Sequence, residues 1–165
     1  MTERAHTLAI WLFATAGIAF ALDRITKAWV EHGLAGRPPL VLIPGVVSLN
    51  YTTNSGGAFG FGRSAPWIFA GATIVVSAII VVVAFRVTKP TIAIALGLIL
   101  GGALGNLTDR AVHGGGLTGH VTDFIDFHVW PVFNLADSAI VVGAILLAFA
   151  TSGSRDDEDA DARAG

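Results

Sequence analysis

No cysteine occurs anywhere in the 165 residues. Disulfides, a thiolate nucleophile and a cysteine-based metal site are therefore excluded, and the chain cannot itself be lipidated on cysteine. Charge is the second shortage. Only 13% of residues are Asp, Glu, Lys or Arg, about half of the roughly 25% usual for a soluble domain. What fills the chain instead is apolar: 53% of residues are hydrophobic and the mean hydropathy is +0.70. The net charge of −2 is set by an acidic tail, Asp156, Asp157, Glu158, Asp159 and Asp161. Such a run is expected to be solvated and disordered over 151–165, and it says nothing about partners. Nothing points to nucleic acid, and no internal repeat is visible.

Four windows are apolar enough to cross a bilayer: 8–30, 67–85, 91–107 and 132–150. Each has about 17–23 residues, which at helical rise spans a ~30 Å hydrocarbon core. In lipid they must be helices, because their backbone groups have no water to bond. The first window is too long for the apolar core of a signal peptide. It runs into Asp23-Arg24-Ile25-Thr26-Lys27 rather than a small-residue cleavage site, so it is expected to be retained. Residues 1–150 then form a single four-helix domain with both termini on one side and the connections 31–66 and 108–131 on the other. Trp29, Trp67 and Trp130 mark that second boundary as an aromatic belt would. Charge bias does not orient the bundle. Arg4, Arg86, Lys89, Arg155 and Arg163 on one side balance Arg24, Lys27, Arg37, Arg63 and Arg110 on the other.

Against this background the carboxylates stand out. Asp23, Asp109 and Asp137 close or open apolar helices at the same end of the bundle, and Asp123 lies in the connection between two of them. A carboxylate at a membrane boundary is costly and is usually paired or functional. Asn134 and Asp137 are three apart, as are Asn106 and Asp109, so each pair shares a helix face. Asp137 is expected about 7 Å inside the last span. The plain alternative is a structural carboxylate that bonds a neighbouring helix or caps a late helix start. Asp109 and Arg110 read equally well as a helix end with an interfacial ion pair. Asp23 and Lys27 are spaced to pair at i, i+4, and Lys27 has the length to snorkel to the interface. The segment from Asn50 to Gly62 is small, polar and glycine-rich, after a stretch with strand propensity over 46–53. His120, Asp123, Asp126 and His128 could in principle gather around a metal, but their spacing fits no compact ligand motif. Gly97, Gly101 and Gly105 are spaced for close helix packing.

Taken together, the blocks DRITK (23–27), NSGGAFGF (54–61), GNLTDR (105–110), VTDFIDF (121–127) and FNLADS (133–138) resemble lipoprotein signal peptidase, the type II signal peptidase of bacteria. Any one block is weak. Five in the family's order on a four-span pattern are specific. The resemblance implies an aspartyl endopeptidase of the membrane that removes the signal peptide from diacylglyceryl-modified prolipoproteins, cutting before the lipidated cysteine. By position it implies that Asp123 and Asp137 are the catalytic pair. Asp23, Lys27, Asn54, Gly56, Asn106, Asp109, Arg110 and Asn134 match supporting or substrate-binding positions. The implied fold is all-α, with four transmembrane helices, a small β-rich extracytoplasmic cradle and an interfacial linker segment. The implied setting is the bacterial cytoplasmic (inner) membrane, with cytoplasmic termini and a site at the extracytoplasmic face. No metal or cofactor is expected. The partners implied are lipidated precursors and membrane lipid, acting on a monomer. The stretch from Asp109 to Asp123 is longer than the family's usual one, that from Asp123 to Asp137 is shorter, and Gly57 stands where Ala is commoner.

Two other readings remain open on the residues alone. One is a small proton or cation transporter working through membrane-edge aspartates. The other is a Ser-Lys protease built on Lys27 with Ser48, Ser55 or Ser64.

Overall fold

The computed structural model describes residues 3–56, 66–114 and 116–164, with the side chains of Pro66 and of 153–164 excepted. The glycine-rich run 57–62, Arg63, Ser64 and the side chains of the acidic tail fall outside that set. The elements are α1 (Glu3–Leu34), β1 (Leu40–Ile43), β2 (Val47–Asn54), α2 (Pro66–Val83), α3 (Pro90–Val112), β3 (Val121–Asp126) and α4 (Leu135–Ala164). Short 3-10 turns follow α2 at Ala84–Arg86 and α3 at Gly116–Thr118. Among the described residues, four helices are long and apolar enough to cross a membrane, so the chain is a multi-pass membrane protein.

The sequence places α3 at the centre because its small residues let neighbours approach. A methyl at Gly97 would come within 2.6 Å of the Leu12 carbonyl, and one at Gly101 would strike the Ala16 carbonyl. Gly102 does the same towards α4, under the Ala136 carbonyl. Leu8, Leu12 and Ala16 of α1 pack with Ala93 and Leu100 of α3 and Ile80 of α2. The large apolar side chains left outside, such as Ile10, Ile18, Val75 and Val82, are the surface a helix presents to lipid.

At the other end a three-stranded antiparallel sheet of order β1-β2-β3 lies over the helices. Its register pairs Thr52 with Asp123 and Asn54 with Val121. Alternation then puts Asn54 and Asp123 on one face as diagonal neighbours. Two expectations need correction here. Asp123 is not on an irregular loop: it sits on β3, whose first four residues are buried. The last helix begins at Leu135 rather than 132, because the segment before it folds back on β3. Phe133 donates its N–H to the Ile125 carbonyl at 3.1 Å and accepts from the N–H of Ile125 at 2.8 Å.

Candidate active site

The late start of α4 fixes its first turn. Asn134 is the N-cap: its Oδ1 accepts the Asp137 N–H at 2.9 Å, and Asp137 Oδ2 reaches back to the Asn134 N–H at 3.3 Å. This is a capping box with Asn and Asp in place of the commoner Ser and Glu. Asp137 therefore lies in the first turn of α4, not 7 Å into it, and it helps to cap a late helix start. The same carboxylate also lines a cavity of about 340 Å³ with Asp123, Asn54, Gly56, Asn106 and Arg110. Phe69, Thr73, Ile140 and Val141 form part of its apolar wall.

Three asparagines hold the two carboxylates, and each is oriented by the same logic. An amide oxygen must face a group that can only donate, which turns the NH2 the other way. The Asn134 oxygen is taken by the Asp137 N–H, and its Nδ2 donates to Asp123 Oδ1 at 2.6 Å. The Asn54 oxygen is taken by the Gly56 N–H at 3.0 Å, and its Nδ2 donates to Asp123 Oδ2 at 3.0 Å. The Asn106 oxygen is taken by Lys27 Nζ at 2.9 Å, and its Nδ2 donates to Asp137 Oδ1 at 2.8 Å. Asn134 Nδ2 also approaches the Asn106 oxygen at 3.1 Å, which closes a network across both carboxylates. Each amide orients a carboxylate without bringing a positive charge to it.

The cations lie one layer behind. Lys27 is fully buried, and its ammonium has three partners: Asp23 Oδ2 at 2.9 Å, Asp109 Oδ2 at 2.8 Å and the Asn106 oxygen. It turns inward and does not snorkel, because two buried carboxylates await it. Asp23 also accepts the Ala136 N–H at 3.0 Å, so α1 ties down the start of α4. Asp109 takes a further ion pair from Arg24 and the Thr122 N–H at 3.1 Å. The expected Asp109–Arg110 pair is absent, since successive helix residues point about 100° apart. Arg110 instead donates to the carbonyls of Gly56 at 2.9 Å and Gly119 at 3.1 Å, holding the end of β2 beside the cavity.

Burial first, then the neighbouring charge of Asp137, pushes the Asp123 carboxyl up to about 7. At neutral pH it therefore keeps a proton for much of the time.

The arrangement also includes residues not expected from the sequence. Thr122, fully buried, donates from Oγ1 to Glu31 Oε1 at 2.6 Å, and Glu31 pairs with His113 Nε2 at 3.5 Å. Glu31 follows Asp23 and Lys27 at the same i, i+4 step, and that spacing was its only signal. The Asp/His metal grouping is not assembled. His128 pairs with Asp126 at 3.4 Å, while His120 stacks on His113 with ring centroids 4.6 Å apart. Lys27 is instead held in ion pairs with Asp23 and Asp109 and by a hydrogen bond to Asn106.

Residues 15–152 match the family described as signal peptidase (SPase) II. The chain is 46% identical over 149 residues to a lipoprotein signal peptidase of Pseudomonas aeruginosa, covering 84% of this chain and 85% of that one. It is 40% identical over 143 residues to the lipoprotein signal peptidase of Pelotomaculum thermopropionicum, covering 86% and 91%. Its fold is similar to a bacterial membrane enzyme solved by the in meso method at 2.3 Å, with a TM-score of 0.77, 26% identity and coverage of 88% and 90%. The family match spans α2, α3, the sheet, most of α1 and the first half of α4, with all the residues gathered around Asp123 and Asp137, and the chain belongs to the signal peptidase II family.

Proposed function

We propose that this protease removes signal peptides from diacylglyceryl-modified prolipoproteins by aspartyl chemistry, with Asp123 and Asp137 as the catalytic pair. The observation that carries the reading is that both carboxylates line one cavity and both are held by amide donors rather than by cations. Two carboxylates lining one cavity do not both ionise easily, so Asp123 and Asp137 share one proton.

In the resting pair Asp123 holds the proton and Asp137 the charge. Asp137 draws a proton from a water as the water oxygen attacks the scissile carbonyl carbon. Asp123 gives its proton to the carbonyl oxygen. The tetrahedral diol then collapses: the C–N bond breaks, and the proton held by Asp137 passes to the leaving amine. One diol hydroxyl returns its proton to Asp123, so the pair is restored and no acyl-enzyme is formed. Asn54, Asn106 and Asn134 act as positioning residues. Asp23, Lys27 and Asp109 lock the helix ends that carry Asn106 and Asn134, and Arg110 with Gly56 shapes the cavity wall where substrate backbone would lie.

The site belongs on the extracytoplasmic face of the bacterial inner membrane, with both termini in the cytoplasm and the chain acting as a monomer. The transporter reading is not favoured. It needs acidic groups through the depth of the bilayer, whereas Asp23, Asp109, Asp123 and Asp137 are gathered at one end. The discriminating experiment uses purified protein in liposomes with a diacylglyceryl-modified precursor. Release of the signal peptide without proton or cation flux is expected. Flux without cleavage would reverse the assignment.

A further inference from the structure

Beside the catalytic cavity lies a second hollow of about 470 Å³, which shares Trp130, Phe133, Asp137 and Val141 with it. One wall is an arch over 126–132, closed at its base where Phe133 bonds back to Ile125. Phe127 and Phe133 stack across that base with ring centroids 5.7 Å apart and planes at 10°. The other wall is α4, through Val141 and Val142, both about half exposed on its outer surface. Few polar groups line it, and these are held by their own neighbours. Ser138 donates its hydroxyl to the Asn134 carbonyl at 3.0 Å, and Asp137 is engaged by Asn106 and Asn134. The hollow therefore offers little to a peptide backbone or a headgroup, and its open side is continuous with the lipid-facing surface of α4.

We infer that this groove, between the 126–132 arch and the first turns of α4, seats an acyl chain of the substrate's diacylglyceryl group. The inference rests on the protease reading above and deepens it. It commits to the substrate's own chain because the groove opens from the dyad itself. A lipidated residue whose preceding carbonyl sits at Asp123 and Asp137 has its thioether within reach of this hollow. An acyl chain is as well solvated by the bilayer as by Phe127 or Val142, so seating it adds little affinity. What it supplies is position: it fixes the lipidated residue so that the bond before it lies over the dyad.

The test compares two precursor peptides of one sequence, one carrying long-chain and one short-chain diacylglyceryl, with purified full-length protein in bicelles. Val142→Trp fills the groove. The ratio of kcat/KM for the long-chain over the short-chain precursor should fall roughly tenfold in this variant. An unchanged ratio, including an equal loss on both precursors, overturns the proposal and points to bulk lipid or the signal peptide as occupant. Crosslinking provides a readout independent of how that variant folds. A long-chain precursor with a diazirine in its acyl chain, bound to Asp123→Asn, should label the arch or residues 138–142. Label spread evenly over the four helices overturns the proposal. A wild-type protein that cleaves neither precursor would instead contradict the protease reading.

Discussion

Lys27 donates to the Asn106 side-chain oxygen at 2.9 Å, and this one bond decides which half of the amide faces Asp137. An ammonium has no acceptor, so the oxygen must turn to it and the NH2 must turn to the carboxylate. The buried cation thus orients a donor toward Asp137, one of the two proposed catalytic carboxylates, through a neutral side chain. Asn106→Asp keeps the partner of Lys27 but replaces the side-chain donor to Asp137 with a second carboxylate, leaving only the Asn134 N–H. Cleavage should fall about 100-fold with the protein still folded, measured as kcat/KM beside a thermal transition.

Asn134 has two separable tasks, capping α4 and donating to Asp123. Ser caps nearly as well as Asn, while Ala costs about 1 kcal/mol at an N-cap. Asn134→Ser should therefore keep the thermal stability and lose activity, and Asn134→Ala should lose both. Comparison of the melting temperatures and rates of the two variants checks this. Equal activity in wild type and Asn134→Ser would remove the positioning role.

The raised Asp123 carboxyl makes a signed pH prediction. As pH rises through about 7 the shared proton leaves Asp123, and kcat/KM should fall by about tenfold per pH unit beyond that point. Stability follows the same direction. The folded state holds this proton more tightly than the unfolded chain, so stability declines as pH rises from the ordinary carboxylate range near 3.8 towards about 7. Asp123→Asn removes that dependence. A rate profile and melting curves between about pH 5 and about pH 9 test both statements.

Removing the buried cation should be severe. In Lys27→Met, Asp23 and Asp109 lose the ammonium between them, and breaking a buried ion pair by deleting one partner costs about 3–5 kcal/mol. The variant should unfold at markedly lower temperature in detergent. Adding Asp23→Asn to Lys27→Met should recover part of the loss, since one stranded charge is removed.

Orientation can be read directly because the chain has no cysteine of its own. A single cysteine at Arg37, between α1 and β1, should react with an impermeant maleimide on intact cells. One at Lys89, between α2 and α3, should react only after permeabilisation. The reverse pattern would invert the bundle.

The four spans were legible because lipid leaves a chain one solution for apolar runs of that length. The glycine stripe at 97, 101 and 105 was legible for a similar reason, since close approach to α1 admits little else. Asp23 and Lys27 announced their pairing by spacing. Three features did not show. Asp123 looked like a loop residue because β3 is short and its partner β2 lies far back in the chain, so no local pattern reports their pairing. Hydropathy alone puts the start of α4 too early, because Val132 and Phe133 are as apolar as the span while Phe133 folds back on Ile125. Adjacency in sequence suggests an Asp109–Arg110 pair, whereas the helix turns the two apart and Arg110 reaches the Gly56 and Gly119 carbonyls. The site residues themselves were placed by resemblance. Their orientation follows from which neighbours can only donate, and that is visible only once α1, α3, β2 and α4 are brought together.

The most direct measurement is the cleavage rate of a diacylglyceryl-modified precursor by purified wild type, Asp123→Asn and Asp137→Asn, each with and without a chelator. Both substitutions should reduce the rate by roughly a thousandfold or more while the melting temperature stays near or above that of wild type, and the chelator should change nothing. Full activity in either single variant, or loss of wild-type activity to the chelator, would contradict a two-carboxylate mechanism.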